Sequence, residues 1–263
     1  MSRIGVITAL STTLTLAGCQ PAQPDGAGDP APTPAEDVTQ PLPALSAPAW
    51  FICDAINQPV VLIAEQPVGD QVRIRRIDKT APDRVTAQAY ELGAEEGAAG
   101  SVFRSLTLDG AEAGHIRRLS VGVLADPNSA TTPPVTSVRL ADQELECRWL
   151  ANTRLMAVTG HRTVLITDEA GSGLVFRSFN FADADTAQPV RPDGGQRSST
   201  PSLELRGGEV MGTGAADSYL FPRGRFTYVI NAARDGTGTV EIRRGAEVEG
   251  TDPILALELG AGR

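Results

Sequence analysis

Apolar and polar residues alternate with a period of two over much of this chain from Trp50 onward. Such alternation puts successive side chains on opposite faces of a β-strand. In Val240-Glu241-Ile242-Arg243 the two apolar residues share one face and the two charges the other. Runs rich in Val, Ile, Phe, Tyr and Thr occur at Val60 to Ile63, Gln71 to Ile77, Val102 to Leu108 and Thr163 to Thr167. Others lie at Leu174 to Phe181, Phe226 to Asn231 and Thr239 to Arg243, with Gly, Pro, Asp and Asn between them. The segment Ala232 to Gly238, with Asp235-Gly236 inside it, predicts a hairpin loop. A helical period shows only weakly, near Ala87 to Glu96. The pattern predicts an all-β fold, an antiparallel sandwich or barrel built as one or two β modules. The tetrapeptide Val-Phe-Arg-Ser occurs at 102 to 105 and again at 175 to 178, which raises the question of a duplication.

The first 48 residues break the pattern. Arg3 is followed by a mildly apolar run from Ile4 to Leu16. That run is too short for a spanning helix, which needs about 20 apolar residues. A charged start, a short apolar middle and small residues after it mark a secretion leader. The leader closes on Leu16-Ala17-Gly18-Cys19, which resembles the lipobox of bacterial lipoproteins. The resemblance implies that residues 1 to 18 are a signal peptide, removed before Cys19, and that Cys19 carries a diacylglyceryl group and further acylation such as palmitate. Two or more acyl chains give stable anchoring, at about 0.8 kcal/mol per buried methylene. In Gram-negative lipoproteins an Asp after the cysteine favours retention in the inner membrane. Gln20 stands there instead, so the resemblance places the protein at the outer membrane, facing the periplasm.

Residues 19 to 48 then form the lipidated cysteine and a disordered, proline-rich tether. Pro21, Pro24, Pro30, Pro32, Pro34, Pro41, Pro43 and Pro48 punctuate it, and it holds no Lys or Arg. Proline fixes φ and lacks a backbone donor, so helix and central strand are both disfavoured. At about 3.1 Å per residue in the extended form, the tether reaches up to roughly 85 Å.

Composition narrows the rest. The net charge of -9 argues against nucleic-acid binding, which needs a clustered basic face. Besides Cys19 the chain has only Cys53 and Cys147, and in an exported protein such a pair predicts a disulfide. This bond would close residues 49 to 150 as one β module, leaving 151 to 263 as a second module or a continuation.

Motifs for covalent chemistry are absent. There is no Gly-x-Ser-x-Gly elbow, no Ser-x-x-Lys and no phosphate-cradling Gly-rich loop. His115 and His161 are too far apart in sequence to form a ligand motif, and each follows a glycine at an expected strand start or turn. Glu95-Glu96 and Asp183/Asp185 are the candidate carboxylate pairs for glycoside hydrolysis or calcium, with solvated loop charge as the simpler reading. Three arginine pairs, Arg75-Arg76, Arg117-Arg118 and Arg243-Arg244, fit either strand-edge solubility or a grip on phosphate or carboxylate. The polar segment 182 to 201 is long for a connection inside a domain. No metal or organic cofactor is expected.

A second resemblance rests on Phe51-Ile52-Cys53 and on Ser172-Gly173-Leu174-Val175-Phe176. Membrane-bound inhibitors of C-type lysozyme open on an aromatic-x-Cys strand and carry a Ser-Gly-x-x-Tyr loop that enters the lysozyme cleft. The resemblance implies an inhibitor loop at Ser172, Gly173 and Phe176, with Phe in place of Tyr. Together these readings lead to a membrane-anchored periplasmic lipoprotein with a non-enzymatic binding or envelope-structural role. Its expected partners are the membrane, through the lipid, and an envelope protein or peptidoglycan. The alternatives are a lysozyme inhibitor and, in another class, a periplasmic hydrolase acting on envelope polysaccharide or ester.

Overall fold

The strands build two meandering antiparallel sheets in succession in a computed structural model, which describes residues 36 to 38 (backbone only), 44 to 120, 122, 124, 132 to 183 and 198 to 260. The leader, Cys19, most of the tether and residues 184 to 197 lie outside the described residues. The fold is all-β. Residues 34 to 263 belong to one compact unit that contains both sheets and their cores, so a chain beginning at Pro34 keeps every packing contact described below.

The first sheet runs through β2 (Phe51–Asp54), β3 (Val60–Ala64), β4 (Gln71–Asp78), β5 (Ala81–Ala98), β6 (Ser101–Leu108), β7 (Ala111–Leu119), β8 (Val135–Leu140) and β9 (Gln143–Glu146). A short β1 (Glu36–Val38) pairs with the free edge of β5. Tight turns drive the meander. Asp109-Gly110, between β6 and β7, has both residues at positive φ (53° and 76°), the twist that suits a two-residue hairpin. The sheet curls until its last strand meets its first. Ile56 N donates to Glu146 O at 2.8 Å, and Arg148 N donates to Asp54 O at 2.9 Å. Cys53 and Cys147 are disulfide-bonded across this seam, as the cysteine count predicts. Such a cross-link stabilises mainly by restricting the unfolded chain. Replacing both cysteines by Ala is therefore expected to cost about 2 to 4 kcal/mol in urea unfolding. An unchanged midpoint would show that the seam's hydrogen bonds hold it closed without the bond.

The second sheet is a closed barrel of β10 (Thr153–Thr159), β11 (Arg162–Glu169), β12 (Gly173–Asn180), β13 (Leu203–Gly212), β14 (Ala216–Arg223), β15 (Phe226–Ala233), β16 (Gly238–Arg244) and β17 (Glu247–Leu259). The Asp235-Gly236 loop joins β15 to β16, as expected. The interior packs Leu155, Val164, Ile166, Phe176, Phe221, Ile230 and Leu257.

Period two explains how the two sheets join. In β3 every residue is buried. Val60, Leu62 and Ala64 face the interior of the first sheet. Val61 and Ile63 face outward, into a shared core with Met156, Val158, Leu165, Phe179, Phe181 and Ala256. The end of the proline-rich segment is built into the fold as well. Leu45 and Ala49 are buried, and their amides donate to Leu255 O at 3.1 Å and Leu257 O at 2.7 Å.

One local expectation is corrected. Ala87 to Glu96 is not helical but forms the middle of β5, an 18-residue strand. Its Ala and Glu content favours helix, but β4 and β6 take up its backbone groups and override that preference. The repeated tetrapeptide falls in β6, the fifth strand of the first sheet, and in β12, the third of the barrel. It does not mark equivalent positions.

Candidate functional site

A cavity of about 310 Å³ opens at one end of the first sheet. Trp50, just before β2, forms one wall, with its ring set edgewise 5.2 Å from Phe51. β6 contributes Val102, Phe103 and Arg104, β7 contributes Ile116 and Arg118, and Pro133, Pro134 and Val135 lead into β8. Pro67 and Glu95 complete the rim.

The walls are mainly apolar and the charges are few. Arg118 Nη2 pairs with Glu95 Oε2 at 2.6 Å, so those two neutralise each other. Arg104 donates its Nε to Gly93 O at 3.1 Å, and its guanidinium carbon lies 5.8 Å from the centre of the Trp50 ring. No carboxylate among the described residues pairs with it. Behind the rim, Arg117 stands 5.8 Å over the Phe103 ring, and its Nε donates to Ser101 Oγ at 3.1 Å. The cavity therefore presents an aromatic and aliphatic pocket with one uncompensated guanidinium, an arrangement suited to holding a ligand.

A second polar cluster sits where the two sheets meet. Asp54 is fully buried between Lys79, the only lysine of the chain, and Arg148. Lys79 Nζ is paired with Asp54 and donates to Ala55 O at 2.7 Å. Arg148 Nε lies 2.8 Å from Asp54 Oδ2, Nη1 donates to Ser199 Oγ at 2.7 Å, and the guanidinium stacks 3.5 Å over the centre of Phe179. Burial alone would push the Asp54 carboxyl up, but the charges and hydrogen bonds of Lys79 and Arg148 outweigh it and hold it below the usual value. The space beside this cluster is only about 40 Å³. Its role is to bind β2, the end of β4 and the chain after β9 to the barrel.

Glu258, on β17, is also buried at this junction. Its Oε2 accepts a hydrogen bond from Ile52 N at 2.7 Å. No basic side chain among the described residues pairs with it, and burial pushes its carboxyl up to about 8 despite that hydrogen bond.

The residues singled out by sequence are scattered. Phe176 is fully buried in the barrel, 5.5 Å from Phe221 and 5.8 Å from Tyr228. Ser172 and Gly173 lie at the β11–β12 hairpin, where Arg206 Nη1 donates to Ser172 Oγ at 3.0 Å. The three do not form a protruding loop: strand alternation turns Phe176 inward. Glu95 reaches the cavity rim, whereas Glu96 is not among the lining residues. Asp183 accepts from Ser202 Oγ at 2.5 Å, and Asp185 lies outside the described residues. His115 is set edgewise 5.4 Å from Phe103 and 3.9 Å from Glu144, and His161 is in the exposed turn before β11.

Of the arginine pairs, Arg118 alone lines the cavity. Arg75 pairs with Glu65 at 2.6 Å, Arg76 donates to Gln143, Arg243 pairs with Glu241 and Arg244 with Glu249. Among the described residues no group of three or more His, Cys, Asp or Glu is placed to hold a metal, and no helix is long and apolar enough to cross a membrane. Sequence reading missed Trp50 and Arg104. The signal was available in Val102-Phe103-Arg104-Ser105-Leu106, where Arg104 shares a face with two apolar residues. No family model, curated protein or solved structure matches the chain.

Proposed function

We propose that this chain is a lipid-anchored protein of the bacterial cell envelope that binds a small molecule in its first sheet and does not turn it over. The observation that carries the binding role is the cavity of about 310 Å³, within the range of small-molecule sites. The anchor reading rests on Leu16 to Cys19, on Gln20, which favours the outer membrane, and on the proline-rich segment behind them. The cavity offers aromatic surface and a guanidinium, groups that orient a ligand.

Two measurements test this. Palmitate fed to growing cells is expected to label the wild-type protein and not Cys19→Ser, and equal labelling of both would overturn the anchor. The purified protein beginning at Pro34 is expected to leave peptidoglycan, simple esters and glycosides intact. Hydrolysis that is lost in His115→Ala would replace the binding reading with an enzymatic one.

A further inference from the structure

We propose that the cavity takes a small anionic amphiphile, a carboxylate or phosphate joined to a compact apolar body, with Arg104 gripping the anion. This rests on the binding role proposed above and names its ligand class. The chain as a whole carries a net charge of -9, so an anion gains nothing from the overall field. The local balance is the opposite. Glu95 pairs with Arg118 at the rim, and Arg104, the cross-strand neighbour of Glu95, has no ion pair of its own among the described residues, which leaves two guanidiniums to one carboxylate.

The guanidinium is also held in place. Nε is committed to Gly93 O, and the Trp50 ring lies 5.8 Å away. The terminal nitrogens remain for a ligand, and their fork matches the paired oxygens of a carboxylate or phosphate. A neutral ligand would leave two rim guanidiniums sharing the single carboxylate of Glu95. A cationic ligand would meet like charge. The apolar body is set by Trp50, Val102, Ile116, Pro133, Pro134 and Val135. At about 30 Å³ for a water-sized group, the cavity holds on the order of ten non-hydrogen atoms. Octanoate and octyl phosphate match this description, one standing for a carboxylic acid and the other for a phosphate monoester.

The test is calorimetric titration of the chain beginning at Pro34, which needs no detergent, with octanoate, octyl phosphate, octan-1-ol and octylamine at pH 7. At least one anion is expected to bind roughly tenfold to a hundredfold more tightly than the alcohol, the range of a charge-assisted hydrogen bond. The amine is expected to bind most weakly. Which anion binds better separates the acid from the phosphate. Arg104→Met is expected to erase the difference between anion and alcohol while leaving alcohol affinity within about twofold, a readout that loss of folding would not give. Val102→Phe, at a half-buried position, is expected to fill the cavity and weaken every ligand.

Equal binding of alcohol and anion, lost together in Val102→Phe, would overturn the anion assignment and leave the binding role standing. Anion binding unchanged in both variants would put the site elsewhere and overturn the assignment. Failure of all four probes to bind would remove both readings.

Discussion

Asp54→Ala is expected to destabilise the protein by about 3 to 5 kcal/mol, the usual cost of removing one partner from a buried ion pair. The loss is large because two buried cations depend on one carboxylate. Lys79 and Arg148 would be left in a largely buried site, each with a hydrogen bond to another group but no counter-ion. Adding Lys79→Met to Asp54→Ala should recover part of the loss, because one uncompensated charge is then gone. A thermodynamic cycle over the four proteins would measure the coupling. The pH dependence has a definite sign. The Asp54 carboxyl is held below its ordinary 3.8, so its contribution is complete above that value and disappears as acid protonates the folded protein. Urea unfolding at pH 7 is the direct check. A change under about 1 kcal/mol for Asp54→Ala would mean that water reaches the cluster.

Glu258→Gln is expected to stabilise the protein at neutral and mildly alkaline pH. In the folded chain the carboxyl stays protonated up to about 8, whereas the unfolded chain ionises it near 4.5. Between those values folding must take up a proton, so stability falls as pH rises through this window and levels off above it. At 1.36 kcal/mol per pH unit the full effect is about 5 kcal/mol, of which about 3 kcal/mol is present at pH 7. Glutamine keeps a carbonyl oxygen for Ile52 N and carries no titratable proton. The variant should therefore show a stability profile flatter than wild type by about one proton between pH 5 and 8. Parallel profiles for the two proteins would show that Glu258 ionises in the folded state with water or a counter-charge at hand.

These two residues also show what the sequence makes legible. Alternation exposes the strands because one side of each is wet and the other dry. The cysteine pair was readable because only one pairing exists once Cys19 is set aside. The junction was harder. In Ala256-Leu257-Glu258-Leu259, Glu258 occupies the outward phase, which on a barrel is ordinarily the solvent face. It becomes a dry position only because β2 docks there. The continuous apolar run Val60 to Ile63 carried the matching signal, a strand buried on both sides. Nothing local says which distant surface covers its second side. Arg104 was hidden for the reverse reason. Strand arginines usually face water, and its inward phase gains meaning only once the sheet curls and leaves an unfilled end beside Trp50.

The seating of Leu45 and Ala49 has a mechanical consequence. A pull on the chain from its N-terminal side meets the short β1 on the edge of β5 first, and then these two residues, whose amides are bonded to Leu255 and Leu257. The tension passes into β17, which β10 and β16 flank with their own ladders. Trp50 and β2, the strand that opens the first sheet's meander, come only after this clamp along the chain. The clamp acts as a strain relief for β2: once β1 has peeled from β5, further load falls on the barrel, and Trp50 is pulled only when those bonds give way.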